Sequence, residues 1–300
     1  MKVLVTGGAG FIGSHLVALL VQKGIDVRVL DSLISGKRER VTDGAQFIKG
    51  DIRDCEALKS AIDGITHVVH LAALVSVEES MKDPVSFNDV NVAGTENVLF
   101  AAHEAGVTRF VYATSAAVYG DDPSLPKMEA GALRSQSPYA FSKIMNELQA
   151  EMYGRIFGLP TVGLRFFNVY GPGQMGNHPY ASVIPRWIEM TKEGKPITIY
   201  GDGTQTRDFV HVRDVAEAIY SALVSNEKGV FNIASGKETS LNDLMKIIKR
   251  TSPKDFDVKN EPSRDGDILR SVADISLACE VLGFNPTVEL NGGIEELFAL

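Results

Sequence analysis

Tyr139, Lys143 and Ser115 have the clearest catalytic potential in this chain. The run Tyr139-Ala-Phe-Ser-Lys143 places a phenol and an amine four residues apart, on one face of a helix. A free tyrosine has a pKa of about 10 and a free lysine about 10.4, so an ammonium group beside the phenol favours the phenolate and makes Tyr139 a usable base. Ser115 ends an apolar run and can donate to the same substrate oxygen. Taken alone, the pair also fits a half-buried tyrosine beside a lysine that extends to solvent.

A glycine-rich turn near the start of the chain is the second candidate site. Gly7, Gly10 and Gly13 form a G-x-x-G-x-x-G pattern between a β-branched run and a helical pattern. Glycine there lets the backbone approach a pyrophosphate at a helix N-terminus. Asp31 ends the next apolar run, where a carboxylate bonds an adenosine ribose 2′-hydroxyl and repels a 2′-phosphate, which favours NAD over NADP. Basic residues in the following loop would instead serve NADP, but a solvated loop is the simpler interpretation: Lys37, Arg38 and Arg40.

Two further apolar runs end in residues that would extend the same dinucleotide site. Asp51 follows the third run and would lie near the adenine, or alternatively cap a helix that begins at Arg53. The segment His70-Leu-Ala-Ala73 follows the fourth run and would pass beside the nicotinamide ribose. Both placements assume that these runs are parallel strands ending at one edge of a sheet.

The elements that would position these residues alternate along the first half of the chain. Apolar strand-like runs are separated by helical patterns, which predicts parallel βαβ units and a Rossmann-type, doubly wound α/β sheet. We expect an NAD-binding domain over residues 1–169, to which a later segment at about 208–235 also belongs. The remainder of residues 170–300 is expected to form mainly a smaller C-terminal α/β substrate lobe, so that the two domains are interleaved in sequence. The predicted strands are Lys2–Thr6, Val27–Leu30, Ala45–Ile48, Thr66–Leu71, Arg109–Ala113 and Gly229–Ala234.

Composition and charge narrow the possible classes of protein. The 300 residues carry 30 Lys and Arg against 38 Asp and Glu, a formal net charge of −8, with no basic run suited to nucleic acid or anionic lipid. The apolar segment 3–21 is interrupted by glycines, so we interpret it as neither a signal peptide nor a membrane span. Cys55 and Cys279 have no metal-ligand spacing, and neither do the histidines. These features predict a cytoplasmic protein with reduced thiols and no metal site.

Several motifs in order resemble the extended short-chain dehydrogenase/reductase family, and within it the nucleotide-sugar 4-epimerases. The resemblance covers essentially the whole chain. Beyond the glycine turn, the Ser115 segment and the Tyr139–Lys143 pair, it rests on five motifs: His70-Leu-Ala-Ala73, Asn91-Val-Ala-Gly94, Leu164-Arg-Phe-Phe-Asn168-Val-Tyr-Gly171, Arg207-Asp-Phe-Val-His211 and Arg264-Asp-Gly-Asp267.

This resemblance implies a role for each residue of the site. Tyr139 is the acid/base, Lys143 also bonds the nicotinamide ribose, and Ser115, with Thr114, holds the sugar O4. The implied NAD contacts are Gly7, Gly10, Phe11, Ile12, Gly13, Asp31, Ser32, Asp51, Ile52, Leu71, Ala72, Ala73, Asn91, Tyr139 and Lys143. The implied contacts of the nucleotide sugar are Ser115, Asn168, Arg207, Arg264, Asp267 and Ser271.

The resemblance also narrows the reaction. Related dehydratases carry an Asp-Glu pair, and decarboxylases a Glu, where this chain has Ser115-Ala-Ala117, so a UDP-hexose 4-epimerase is expected. At the position of Ser271, epimerases restricted to glucose and galactose carry a bulky side chain. The small Ser271 leaves room for an N-acetyl group, which favours UDP-GlcNAc and UDP-GalNAc as substrates alongside UDP-glucose and UDP-galactose. A UDP-glucuronate 4-epimerase using Arg186 or Arg270, another NAD-dependent dehydrogenase and a non-catalytic NAD-binding regulator remain alternatives.

The same resemblance predicts a homodimer. Family members commonly associate through two helices, corresponding here to Val85–Ala105 and Tyr139–Phe157. Both segments have the apolar periodicity that such a contact needs, although packing on the sheet would produce the same periodicity.

Overall fold

A twisted parallel sheet organises the computed structural model, which describes residues 1–176, 181–263 and 268–300. Its seven strands are β1 (Lys2–Thr6), β2 (Asp26–Asp31), β3 (Gln46–Lys49), β4 (His67–His70), β5 (Arg109–Ser115), β6 (Thr161–Phe166) and β11 (Gly229–Ile233). In the described ranges their order is β3-β2-β1-β4-β5-β6-β11, with every neighbouring pair parallel. The order reverses between β1 and β4, which is where open α/β sheets bind ligands.

Helices cover both faces of this sheet. The described α-helices are α1 (Phe11–Gln22), α2 (Cys55–Ile62), α3 (Val77–Lys82), α4 (Pro84–Asn88), α5 (Gly94–Glu104), α6 (Pro138–Ile156), α7 (Val183–Lys192), α8 (Val212–Val224), α9 (Leu241–Thr251), α10 (Ser276–Leu282) and α11 (Leu290–Ala299), of which α7, α9 and α11 pack away from this sheet. Leu16 of α1 and Ile219 of α8 bury apolar side chains against one face, and Leu58 of α2 and Leu99 of α5 against the other. The predicted Rossmann-type doubly wound fold is therefore confirmed.

The last strand of the sheet comes from far along the chain. Strand β11 pairs with β6, so that Phe231 lies opposite Leu164. Between these two strands in sequence lie elements that belong to other sheets. Strand β11 lies within the segment 208–235 that is expected to return to the first domain, while the division of the chain into domains stays a prediction.

A separate apolar cluster organises much of the remaining chain. Trp187 of α7, Ile248 of α9 and Ile294 of α11 are buried together in it. Short pairs of strands border this cluster: β7 (Asn168–Tyr170) with β10 (Phe209–His211), β8 (Ile197–Tyr200) with β13 (Val258–Glu261), and β9 (Thr206–Arg207) with β12 (Thr239–Ser240). Over the described residues, no helix combines the length and apolar character needed to cross a membrane.

Candidate active site

The glycine turn forms a backbone cradle at the carboxyl end of β1. Gly7 has a φ of +72°, and a Cβ there would come within 2.7 Å of the Ala72 backbone nitrogen. A Cβ at Gly13 would overlap the carbonyl oxygen of Gly7. The first turn of α1 therefore lies directly against the strand-end turn, and its N-terminus, capped by Gly10, opens into the cleft. This space and the unpaired N–H groups of a helix N-terminus fit the pyrophosphate of a dinucleotide.

Asp31 is held in place at the end of β2 by the backbone. Its Oδ2 accepts a hydrogen bond from the Ala9 N–H at 3.0 Å, and its Oδ1 accepts one from the Leu33 N–H at 2.8 Å. The carboxylate therefore joins the glycine turn to the loop after β2. A fixed negative charge at this position favours an unphosphorylated adenosine ribose. Of the three basic residues in the loop, only Arg40 is among the cleft-lining residues.

A cleft of about 710 Å³ runs along the carboxyl ends of the strands. The structure brings most of the predicted residues together there. The predicted site residues in its lining are Gly7, Gly10, Phe11, Ile12, Gly13, Asp31, Ser32, Asp51, Ile52, Leu71, Ala72, Ala73, Thr114, Ser115, Tyr139, Lys143, Asn168, Arg207 and Ser271. Arg264 and Asp267 lie outside the described residues.

Asp51 does not cap a helix. Its Oδ1 accepts hydrogen bonds from both the backbone N–H and the guanidinium of Arg53, each at 2.9 Å. Helix α2 is capped by Asp54, whose side chain accepts from the N–H groups of Glu56 and Ala57. The alternative interpretation of Asp51 as a helix cap is therefore wrong, and its carboxylate borders the cleft instead.

Tyr139, Lys143 and Ser115 meet where β5 ends beside the first turns of α6. Ser137 caps α6 by accepting a hydrogen bond from the Ala140 N–H at 3.1 Å, so the helix begins just before Tyr139. Ser115, the last residue of β5, lies close enough to the Tyr139 phenol to lower its pKa. Lys143 Nζ donates to the Ala113 carbonyl at 3.1 Å and lies 6.0 Å from the centre of the Tyr139 ring.

Burial is the largest influence on the pKa values of Tyr139 and Lys143. It raises the pKa of Tyr139, an effect that the hydrogen bond with Ser115 opposes. It lowers the pKa of Lys143 to about 8, against the charge of Glu147. The predicted lowering of the Tyr139 pKa is therefore wrong for this structure: desolvation is the largest effect on the phenol, and the Lys143 ammonium bonds the Ala113 carbonyl, 6.0 Å from the centre of the Tyr139 ring.

The Thr114 hydroxyl is bound to a buried carboxylate, so it is not free to hold the sugar O4 as predicted. It donates to Glu147 Oε1 at 2.8 Å, and the side chain is buried. Glu147 also accepts two hydrogen bonds from the Arg165 guanidinium, at 2.9 and 2.7 Å. Sequence reasoning missed both residues, although a charged Arg165 inside the apolar run Thr161–Phe166 is an available signal, because a buried charge requires a partner.

Asn91 is fully buried and is not part of the cleft lining. It lies in a π-helical turn, Asp89–Ala93, between α4 and α5. Its amide donates to the Leu74 carbonyl at 2.9 Å and to Ser142 Oγ at 3.0 Å, and its Oδ1 accepts from the Leu74 N–H at 2.8 Å. Leu74 does line the cleft. Asn91 therefore does not line the cleft itself but holds the loop after β4, which does, against α6.

Two of the predicted substrate contacts lie where the cleft meets a second cavity of about 240 Å³. Asn168 and Arg207 line both spaces, and Tyr200 and Trp187 line the smaller one. The Arg207 guanidinium donates to the Ile268 carbonyl at 2.6 Å, which holds the chain just before Ser271. Aromatic side chains, an amide and an arginine along one cavity are suited to a nucleotide and its phosphates.

Similarity to known proteins identifies the family of this chain. The sequence profile of the NAD dependent epimerase/dehydratase family matches residues 3–234. The chain belongs to this family. UDP-glucose 4-epimerase of Mycolicibacterium smegmatis is 38% identical over 302 residues, covering 98% of this chain and 96% of the relative.

Two solved structures of similar proteins extend this result. UDP-N-acetylglucosamine 4-epimerase of Methanobrevibacter ruminantium, in complex with UDP-N-acetylmuramic acid, has a TM-score of 0.96 and 37% identity, covering 99% of this chain and 97% of that one. The UDP-glucose 4-epimerase of Thermus thermophilus in complex with NAD has a TM-score of 0.93 and 39% identity, covering 100% and 98%.

Membership of the NAD-dependent epimerase/dehydratase family confirms two of the predictions, the class of enzyme and the cofactor. The chain is an NAD-dependent enzyme of the isomerase type, and NAD is its cofactor. The glycine cradle and the fixed Asp31 carboxylate fit that cofactor. Within the described ranges, no group of three or more His, Cys, Asp or Glu side chains is arranged to hold a metal ion.

Proposed function

We propose that this protein is an NAD-dependent UDP-hexose 4-epimerase that interconverts UDP-glucose with UDP-galactose and UDP-GlcNAc with UDP-GalNAc. The observation that carries the proposal is the meeting of Tyr139, Ser115 and Lys143 in the cleft, with alanines at the two positions after Ser115. Names of similar proteins support this reaction, since they include UDP-glucose and UDP-N-acetylglucosamine 4-epimerases.

The chain's own residues supply binding and proton transfer. Tyr139 removes the proton of the sugar 4-hydroxyl and later returns it, while Ser115 holds the same oxygen by a hydrogen bond. Lys143 bonds the nicotinamide ribose, and its ammonium charge offsets part of the desolvation cost of the phenolate. Bound NAD⁺ supplies the acceptor for the hydrogen of sugar carbon 4 and a positive charge that favours the phenolate. The remaining NAD contacts belong to this proposal as predicted, except that Asn91 acts through Leu74.

The residues after Ser115 decide how the reaction continues beyond the first step. Elimination of water from a 4-keto sugar needs an acid and a base close to the ring. Ala116 and Ala117 line the cleft at the corresponding positions and provide neither group. The 4-keto sugar therefore turns within the pocket and is reduced from its other face, so the net redox change is zero.

The choice of sugar rests on the substrate-side residues. Asn168, Arg207 and the undescribed Arg264 and Asp267 hold the UDP group, and Ser271 faces the sugar. The small Ser271 side chain borders the cleft and favours acceptance of a 2-N-acetyl group. Arg270 is paired with Glu238 by two hydrogen bonds of 2.7 and 2.6 Å, which leaves it poorly suited to a glucuronate carboxylate.

The test is product analysis by proton NMR. The purified protein is incubated with UDP-glucose, UDP-GlcNAc or UDP-glucuronate, first without and then with added NAD. We expect the 4-epimers of the first two sugars to appear, already without added NAD if the cofactor is retained. A 4-keto-6-deoxy product, or no change in any tube with NAD present, would contradict the proposal.

A homodimer and a cytoplasmic location are part of the same proposal. The two helical segments expected at the interface expose large apolar side chains: Val85, Phe100, Phe141, Leu148, Ile156 and Phe157. Several large exposed apolar side chains on two segments favour association of two copies of the chain, because the exposed apolar residues of a monomer are usually single and scattered. Cys55 and Cys279 are both exposed and unpaired, which suits a reducing compartment.

A further inference from the structure

A buried polar network lies directly behind Ser115 and Tyr139. Its centre is the ion pair between Glu147 of α6 and Arg165 of β6, whose side chains are 8% and 5% exposed. Glu147 Oε1 accepts from Arg165 Nε at 2.9 Å and from Thr114 Oγ1 at 2.8 Å, while Oε2 accepts from Arg165 Nη2 at 2.7 Å. The Glu147 carboxylate therefore accepts a bidentate pair of hydrogen bonds from the Arg165 guanidinium and one further hydrogen bond from Thr114.

Arg165 is itself fixed on its other side. Its Nη1 donates to the Tyr119 hydroxyl at 2.8 Å and to the Glu129 carbonyl at 2.9 Å. The Tyr119 hydroxyl in turn donates to Asn232 Oδ1 at 2.6 Å. The network thus joins α6, β5, β6 and β11, and each of its charged groups has hydrogen-bond partners. A satisfied network of this kind has one favoured geometry.

Stability alone does not explain this ion pair. A buried ion pair is often matched or surpassed by apolar residues of similar volume, because both charges must leave water. What the pair does achieve is a rigid link between the strand end that carries Ser115 and the helix that carries Tyr139 and Lys143. Thr114 immediately precedes Ser115, and Glu147 lies one helical turn after Lys143.

We propose that Glu147 is a positioning residue: held by Arg165, it anchors the Thr114 hydroxyl and so sets the distance between Ser115 and Tyr139. This inference rests on the proposed function, since it assumes that Ser115 and Tyr139 act together on the sugar 4-hydroxyl. Small displacements of such a pair lower the turnover number more than they weaken binding.

The test uses Thr114→Val, which removes the hydroxyl and keeps the shape of the side chain, and Thr114→Ser, which restores the hydroxyl. We expect Thr114→Val to reduce kcat at least about tenfold and to change KM by less than about threefold, and Thr114→Ser to recover most of kcat. Glu147→Gln is expected to lower kcat similarly. Adding Thr114→Val to Glu147→Gln should cause a loss smaller than the product of the two single losses, because both changes act on the same contact.

The matched control is Thr161→Val at the start of β6. The Thr161 hydroxyl is also buried and donates to the Ala150 carbonyl at 3.2 Å, but it lies at the opposite end of the sheet. We expect this control to keep the wild-type kcat. Unchanged kcat in Thr114→Val, equal losses in Thr114→Val and Thr161→Val, or no recovery in Thr114→Ser would each overturn the inference.

Two readouts separate this inference from the proposed function. The rate of NADH formation on mixing the NAD-loaded enzyme with UDP-glucose reports the first step, which epimerases and dehydratases share. NMR of the products reports whether epimerisation or elimination completes the reaction. A wild type that forms NADH but no 4-epimer refutes the proposed function, while the variants still test the positioning role. A wild type that shows neither refutes both.

Discussion

Acidification should destabilise this protein through His70, a fully buried histidine at the end of β4. Its Nδ1 lies 2.7 Å from Thr6 Oγ1 and its Nε2 lies 2.9 Å from Thr95 Oγ1. The Thr95 hydroxyl donates its proton to the Asn91 carbonyl, so it must accept from Nε2–H of His70. Nδ1 then accepts from the Thr6 hydroxyl. The ring is held in one neutral tautomer, and a second proton would face a hydroxyl that already donates.

The size and sign of the effect come from the shift in the His70 pKa. Burial, assisted by the charge of Lys143, lowers this pKa from its ordinary 6.5 to about 3. Between these values the unfolded chain binds a proton that the folded protein does not, so stability falls as pH decreases from 6.5 towards 3. At pH 5 the loss is about 1.5 × 1.36, or about 2 kcal/mol, relative to neutral pH. That is a large part of a typical stability of about 5–15 kcal/mol.

The assay compares urea unfolding at pH 7 and pH 5, followed by far-ultraviolet circular dichroism in excess NAD. His70→Gln keeps a donor near the Nε2 position and removes the titration, so its loss of stability on acidification should be about 2 kcal/mol smaller than that of the wild type. The same substitution at the partly exposed His103 is the matched control for loss of an imidazole. Equal losses in the wild type and His70→Gln would refute the reasoning.

Three further predictions concern the proton carrier, the cofactor cradle and the subunit interface. Tyr139→Phe should keep NAD and UDP-sugar binding, measured by calorimetry, and lower the NMR epimerisation rate at least about 100-fold; a near-normal rate would exclude Tyr139 as the base. Gly13→Ala should weaken NAD binding at least about tenfold, because its Cβ would overlap a carbonyl oxygen of the turn, whereas Gly292→Ala, where a Cβ meets nothing within 4 Å, should not. Leu148→Glu should convert the dimer to a monomer in light scattering, with the exposed Leu277→Glu on α10 as control; a monomeric wild type would contradict the dimer proposal.

The parts of the site that sequence could predict are those with local patterns. Gly7, Gly13 and Asp31 belong to a turn and a strand end whose chemistry requires those residue types, and the structure places all three along the cleft. Helical spacing predicted that Tyr139 and Lys143 share one face of a helix, but their catalytic role was implied by the family resemblance. The doubly wound parallel sheet followed from the alternation of strands and helices, because the crossover rule leaves few arrangements.

The parts that sequence missed depend on distant contacts or on side-chain direction. Glu147 and Arg165 are partners across a helix and a strand, and no local spacing links them. Asn91 lies within a motif, but a π-helical turn directs its amide to Leu74 and away from the cleft. Thr114 precedes Ser115 on the same strand, and strand alternation turns its hydroxyl to the opposite face.

The late position of β11 has a consequence for how the protein is made. Strand β6, buried along its whole length, is complete at Phe166 and can pair with β5 at once, but β11, the strand that pairs with its other edge, begins only at Gly229. While the intervening segment is synthesised, the apolar β6 edge is unpaired, and such edges invite pairing with other chains. A ribosome that stalls between these two strands would therefore leave a nascent chain whose sheet is one strand short and open to aggregation.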